Sequence, residues 1–132
     1  MIGGRVLDTS ALDHVATGRS VYARALVWAA VEQNTVLVVP TTALTTAWAQ
    51  IPTHAHPVLE VLLGLPNTVL EILDEPTAHA VGLLLTVTGG AGELAVGHVL
   101  WCARQRGWAI VTAEPAPLRQ LDADVDIEEL PY

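Results

Sequence analysis

Val6-Leu7-Asp8-Thr9-Ser10-Ala11-Leu12 is the stretch on which the reading of this chain turns. Val6 and Leu7 end a short apolar run, and Asp8 closes it with a helix starting behind. In an open α/β sheet the C-terminal ends of the strands face the crevice where ligands bind. A carboxylate fixed on that edge can serve a hard cation such as Mg²⁺, which takes oxygen ligands. Asp8 also suits a purely structural part, because Asp is among the preferred N-caps.

Outward from this stretch, apolar runs at residues 5–7, 35–39, 68–72, 108–111 and 125–130 read as strands. Val36-Leu37-Val38-Val39 and Trp108-Ala109-Ile110-Val111 are continuous rather than alternating, as strands covered on both faces are. Helical spacing fills the gaps, over 20–33, 42–50, 57–63, 76–87, 93–105 and 115–121. In the first of these, Val21, Ala25, Trp28 and Ala29 form an amphipathic stripe; Ser20 is placed to cap it and Asn34 to stop it. Gly107 sits where a C′ glycine would. Strand and helix alternate, which predicts an α/β fold with a largely parallel sheet. No linker or repeat divides the 132 residues, so one domain over 1–132 is expected.

A hydrophobic content of 52% fits a packed globule. Asp8 precedes any apolar region that a secretory signal would need, and Pro40, Pro52 and Pro57 break the longest uncharged stretch, so no membrane span is expected. One cysteine, Cys102, excludes an internal disulfide framework and suggests a reduced, cytoplasmic setting. The charge is lopsided: 14 acids against six arginines and no lysine give a net −8. Such a chain binds polyanions poorly unless its arginines cluster or a cation intervenes. Arg104, Arg106 and Arg119 are close in sequence, but Asp122, Asp124, Asp126, Glu128 and Glu129 crowd the last eleven residues. The same acidity would suit a basic protein partner.

Two further acids stand where Asp8 does. Glu114 follows the strand 108–111 and precedes a helix, and Glu93 opens one. The helix macrodipole favours a carboxylate there by roughly 0.3–1 kcal/mol, yet Glu is not a preferred N-cap. If the strands before Asp8 and Glu114 are neighbours, the three acids converge on one sheet edge, and a shared cation relieves their repulsion. Other motifs carry less. His54-x-His56 lacks the partners of a zinc site, and Cys102 lies mid-helix with no second thiol. Gly89-Gly90-Ala91-Gly92 reads as a loop feeding a helix rather than as a phosphate cradle. Trp28, Trp48, Trp101 and Trp108 suit core packing or a dimer face better than base stacking.

On these residues the chain resembles a PIN domain, the fold of the VapC-type toxin ribonucleases. Val6-Leu7-Asp8-Thr9-Ser10-Ala11-Leu12 is similar to the family's first motif. Gly97-His98-Val99-Leu100-Trp101-Cys102-Ala103-Arg104-Gln105-Arg106-Gly107, continuing to Ile110-Val111-Thr112-Ala113-Glu114-Pro115, resembles its last helix and its Thr-x-Asp motif. The resemblance covers almost the whole chain. It implies a three-layer α/β/α fold around a mostly parallel sheet of four or five strands. It also implies Mg²⁺- or Mn²⁺-dependent cleavage of single-stranded RNA, a homodimer, and an antitoxin-like basic partner. By the same resemblance Asp8, Glu93, Glu114 and Thr112 would be catalytic, with Asp8, Glu114 and Glu93 on the metal. Ser10, Arg104 and Arg106 would bind substrate. Two acidic positions of the pattern are lost here: Thr46 and Val96 stand in them. The departures leave two functions open, an unusual metal-dependent ribonuclease and a PIN-fold pseudo-nuclease that works by binding a protein or RNA.

Overall fold

The computed structural model describes residues 3–88 and 93–131. Along the chain run β1 (Gly4–Leu7), α1 (Thr9–Thr17), α2 (Val21–Gln33), β2 (Val36–Pro40), α3 (Thr41–Gln50) and α4 (His56–Leu63). Then come β3 (Thr68–Glu71), α5 (Glu75–Val87), α6 (Leu94–Arg106), β4 (Ala109–Thr112), α7 (Pro115–Leu121) and β5 (Ile127–Glu129). The strands form one sheet in the order β3-β2-β1-β4-β5, and every pair is parallel. Leu37, Val38 and Val39 point alternately to the two sides of β2 and all are 0% exposed, so helices cover both faces. This is the α/β/α three-layer arrangement expected of continuous apolar strands. Each such side chain contributes about 1.5–3 kcal/mol through burial.

The order of the strands is the fact that matters for function. β1 and β4 are neighbours in the register Val6↔Ile110 and Leu7↔Val111. Residues 8 and 112, more than a hundred positions apart, therefore leave the sheet side by side at its C-terminal edge.

Local stops and caps follow the sequence closely. Ser20 Oγ accepts the Ala23 N–H to start α2, and Asn34 ends it in the left-handed region at φ 55°. Gly107 ends α6 at φ 67°, where a side chain would be strained. Gly4 is buried because the indole of Trp108 lies where its side chain would be.

One helix turns against expectation. Val21, Ala25 and Trp28 of α2 face solvent, with Trp28 68% exposed, while Ala23 and Ala30 are buried and Leu26 and Val27 pack against the core. Positions two apart lie roughly 200° round a helix, so the buried and exposed stripes are nearly opposite. Both are apolar; periodicity could not choose between them, and the small alanines let the sheet side pack close. Of the remaining tryptophans, Trp48, Trp101 and Trp108 are half-buried against the core.

Candidate active site

Asp8 fills the structural part its sequence suggested. Its backbone is extended, and its carboxylate caps α1 by accepting the Ala11 N–H at 2.9 Å. The same oxygen, Oδ1, accepts a 2.7 Å hydrogen bond from Ser10 Oγ. Ser10 Oγ in turn accepts the Ala113 N–H at 2.9 Å and stands 3.2 Å from Thr112 Oγ1. Thr112, fully buried, accepts the Glu114 N–H at 2.9 Å. A chain of short polar contacts thus stitches the end of β1 to the end of β4. Burial pushes the Asp8 carboxyl above its ordinary value; hydrogen bonds from Thr112, Ala11 and Ser10 oppose that, and the nearby Glu114 charge adds to it.

Glu93 and Glu114 occupy the cap positions of α6 and α7, yet neither side chain makes a cap hydrogen bond. Both are exposed. A capping role therefore does not account for either, and their carboxylates remain available to a cleft of about 460 Å³ that Asp8, Glu93 and Glu114 all line. Thr46 and Val96 line it too. Thr46 donates its hydroxyl to Thr42 O at 3.1 Å, and Val96 offers no donor atom. The two positions where the PIN pattern carries acids are thus in the cleft without being able to supply charge to it.

The donor set suits a hard divalent cation only in a limited way. Asp8 is a half-buried carboxylate whose charge is disfavoured where it stands, with Glu114 near enough to add to that strain; an opposite charge would relieve both. Among the described residues, however, no three Asp, Glu, His or Cys side chains stand close enough to cage an ion by themselves. Glu93 shares the cleft without joining such a group. The residues fit a cation held by Asp8 and Glu114 with water completing the shell, as Mg²⁺ commonly is.

The arginines are not where sequence proximity suggested. Arg104 pairs with Asp122 at 3.0 Å, and Arg106 pairs with Glu71 at 3.5 Å while lying 5.4 Å from the centre of the Trp108 ring. Both sit at the far end of α6 from Glu93, roughly 15–20 Å along the axis at 1.5 Å per residue, and neither lines the cleft. The cation that does line it is Arg19, from the turn between α1 and α2. Asp13, His14 and Gln50 line it as well. Asp13 and His14 follow Ser10 at helical spacing, a signal present in the sequence; Arg19 had none, since its position depends on where the turn falls.

The minor motifs resolve as structure. His56 packs its ring edgewise on Trp48, with centroids 4.9 Å apart. Cys102 is buried on α6, and burial pushes its thiol up to about 12, which suppresses the thiolate. The stretch from Gly89 to Gly92 lies outside the described residues.

No sequence-family profile matches the chain, and no curated protein matches it by sequence. Solved structures do match. One chain of VapBC2 from Rickettsia felis, crystallised with a DNA fragment from its promoter, superposes with a TM-score of 0.69 at 11% identity, covering 97% of this chain and 99% of that one. PAE2754 from Pyrobaculum aerophilum superposes with a TM-score of 0.63 at 18% identity, over 96% of this chain and 92% of its own. The fold is that of a PIN domain, as the sequence motifs implied.

Proposed function

We propose that this protein is a Mg²⁺- or Mn²⁺-dependent endoribonuclease of the VapC type, acting on single-stranded RNA through a reduced acidic site. The observation that carries the reading is the placement of Asp8 beside Glu114 in a cleft that also takes in Glu93. When bound there, the cation supplies charge neutralisation at the scissile phosphate and a more acidic water. The chain's own part is positional. Ser10 and Thr112 hold Asp8 and the Glu114 backbone in place, Asp8 and Glu114 present oxygens to the ion, and Glu93 is available to orient the attacking water. With Thr46 and Val96 in place of acids, a one-ion site with slow turnover is the expected form. The cytoplasm is the fitting location, and among the described residues no helix is long and apolar enough to cross a membrane. One domain over 1–132 is part of the same reading.

Two partners fit the surface. A second copy is proposed to cover the outer face of α5, where Leu83 and Val87 are each more than half exposed. No charged residue stands between Pro76 and Thr88, so two copies of a −8 chain can meet there without repulsion. A basic, antitoxin-like segment fits the acidic cleft by charge.

The neutral cleft positions favour one rival. Val96 has no use in cation binding, and a pseudo-nuclease that receives a partner's arginine would tolerate it. Cleavage of a labelled single-stranded RNA pool in Mn²⁺ separates the two readings. Cutting by the wild type that Asp8→Ala abolishes supports the ribonuclease; cutting no greater than that of the variant supports the binding protein.

A further inference from the structure

We infer that Arg19 and Arg119 are the phosphate-holding residues of this cleft, gripping single-stranded RNA on either side of the Glu114 lip. The inference rests on the RNA reading above and adds residues that no motif assigns. The chain has six arginines and no lysine, and four arginines are committed elsewhere. Arg5 pairs with Glu128 at 3.2 Å, Arg104 with Asp122 and Arg106 with Glu71. Arg24 donates to Val15 O at 3.0 Å and Ala16 O at 3.3 Å, closing the end of α1.

Arg19 and Arg119 are exposed, and among the described residues neither guanidinium has an ion pair or hydrogen bond. Both stand at one place. Arg19 lines the main cleft with Asp8 and Glu93. Arg119 lines a shallow hollow next to it, and the two depressions share Glu114, Pro117 and Gln120 as their common wall. In a chain of net charge −8, the uncommitted cations therefore flank the acidic centre. Guanidinium groups bind phosphate bidentately and keep their charge at any working pH. A strand crossing from the cleft over the Pro117–Gln120 lip would meet one arginine on each side, and they would set which phosphate lies over Asp8.

Arg19 is held for this task. Gly18 turns the chain at φ 72° to end α1, and the Arg19 N–H bonds Thr17 Oγ1 at 3.4 Å. One residue later Ser20 caps α2. The base of the side chain is fixed while its head is free.

The test is binding, not turnover. Fluorescence anisotropy of a short labelled single-stranded RNA would be read in EDTA across a salt series, for wild type, Arg19→Gln, Arg119→Gln, the double variant and Arg104→Gln. Each single change should weaken binding about tenfold. The double change should reduce the log–log salt slope by about 1.4, at roughly 0.7 per phosphate on a single strand. Arg104→Gln, whose partner is Asp122, should match wild type. Undiminished affinity in the double variant would overturn the inference, as would the absence of RNA binding by wild type at low salt. Displacement of the RNA by polyglutamate as readily as by unlabelled RNA would also overturn it, and would make the rim a carboxylate site for a protein. RNA held through these arginines but never cut in Mn²⁺ would sustain this inference while removing the ribonuclease reading. RNA cut by a double variant with full affinity would do the reverse.

Discussion

Ser10 Oγ donates to Asp8 Oδ1 at 2.7 Å, so the residue that fixes the first acid comes from the same short motif. Its hydroxyl also accepts the Ala113 N–H, which makes one small side chain the joint between β1 and β4. Sequence resemblance assigned Ser10 to substrate; its hydrogen bonds place it under the acid, as a positioning group.

Replacing Ser10 by Ala removes a donor from Asp8 and orphans the Ala113 N–H. An unsatisfied, largely buried N–H costs about 1–3 kcal/mol, so thermal denaturation should show a melting temperature lower by several degrees. Loss of a bond that holds the Asp8 charge should also move the acid limb of the cleavage profile to higher pH. A stable variant with an unmoved profile would remove Ser10 from this role.

Asp8→Asn keeps the cap, since Asn serves as well as Asp, and deletes a charge that burial disfavours. The folded Asp8 has a raised pKa, so its penalty is absent below the ordinary aspartate value of 3.8 and grows as pH rises through the folded value. In EDTA the variant should therefore be more stable than wild type at pH 7, with the gain shrinking toward pH 4. Melting curves at the two pH values decide it; a variant less stable at pH 7 would mean the charge is satisfied by groups other than a cation.

Val96→Asp returns a carboxylate to the cleft on the same face of α6 as Glu93, three positions away. The metal-free protein should melt lower through like-charge repulsion. The rise in melting temperature on adding Mn²⁺ should become larger than in wild type, because stabilisation by a ligand grows with the logarithm of its affinity. An identical Mn²⁺ response in both proteins would show that position 96 lies outside the ion's reach.

The Cys102 thiol, moved from 9.0 to about 12, holds about three orders of magnitude less thiolate at a given pH than an ordinary one. A disulfide reagent at pH 8 should label the native protein far more slowly than the protein in urea. Rapid labelling under native conditions would mean that α6 opens readily from the sheet.

The sheet was legible because its strands are continuous apolar runs and its helices carry clear caps at Ser20 and Gly107. Asp8, Glu93 and Glu114 could be read as neighbours only on the condition that β1 lies beside β4; strand order is a tertiary fact, and the register Leu7↔Val111 supplied it. The outward turn of Trp28 was hidden because α2 is apolar on both sides. The arginines misled for a related reason. Arg104 and Arg106 are close to the motif in sequence but are neutralised by Asp122 and Glu71, partners brought from other elements. Arg19 reaches the cleft through the path of a turn that no periodicity describes.

The 102-residue separation between the Ser10 and Thr112 hydroxyls bears on how such a protein is made. While the ribosome is still extending the chain, residue 8 has no β4 to lie against, and the acid that would touch RNA is unpaired with its distant neighbour. At about 5–20 residues per second, the interval between the two motifs lasts on the order of 5–20 s. On the ribonuclease reading proposed above, a nascent chain would carry no assembled cutting edge beside the message that encodes it, and any hazard would begin only after the last two strands have emerged.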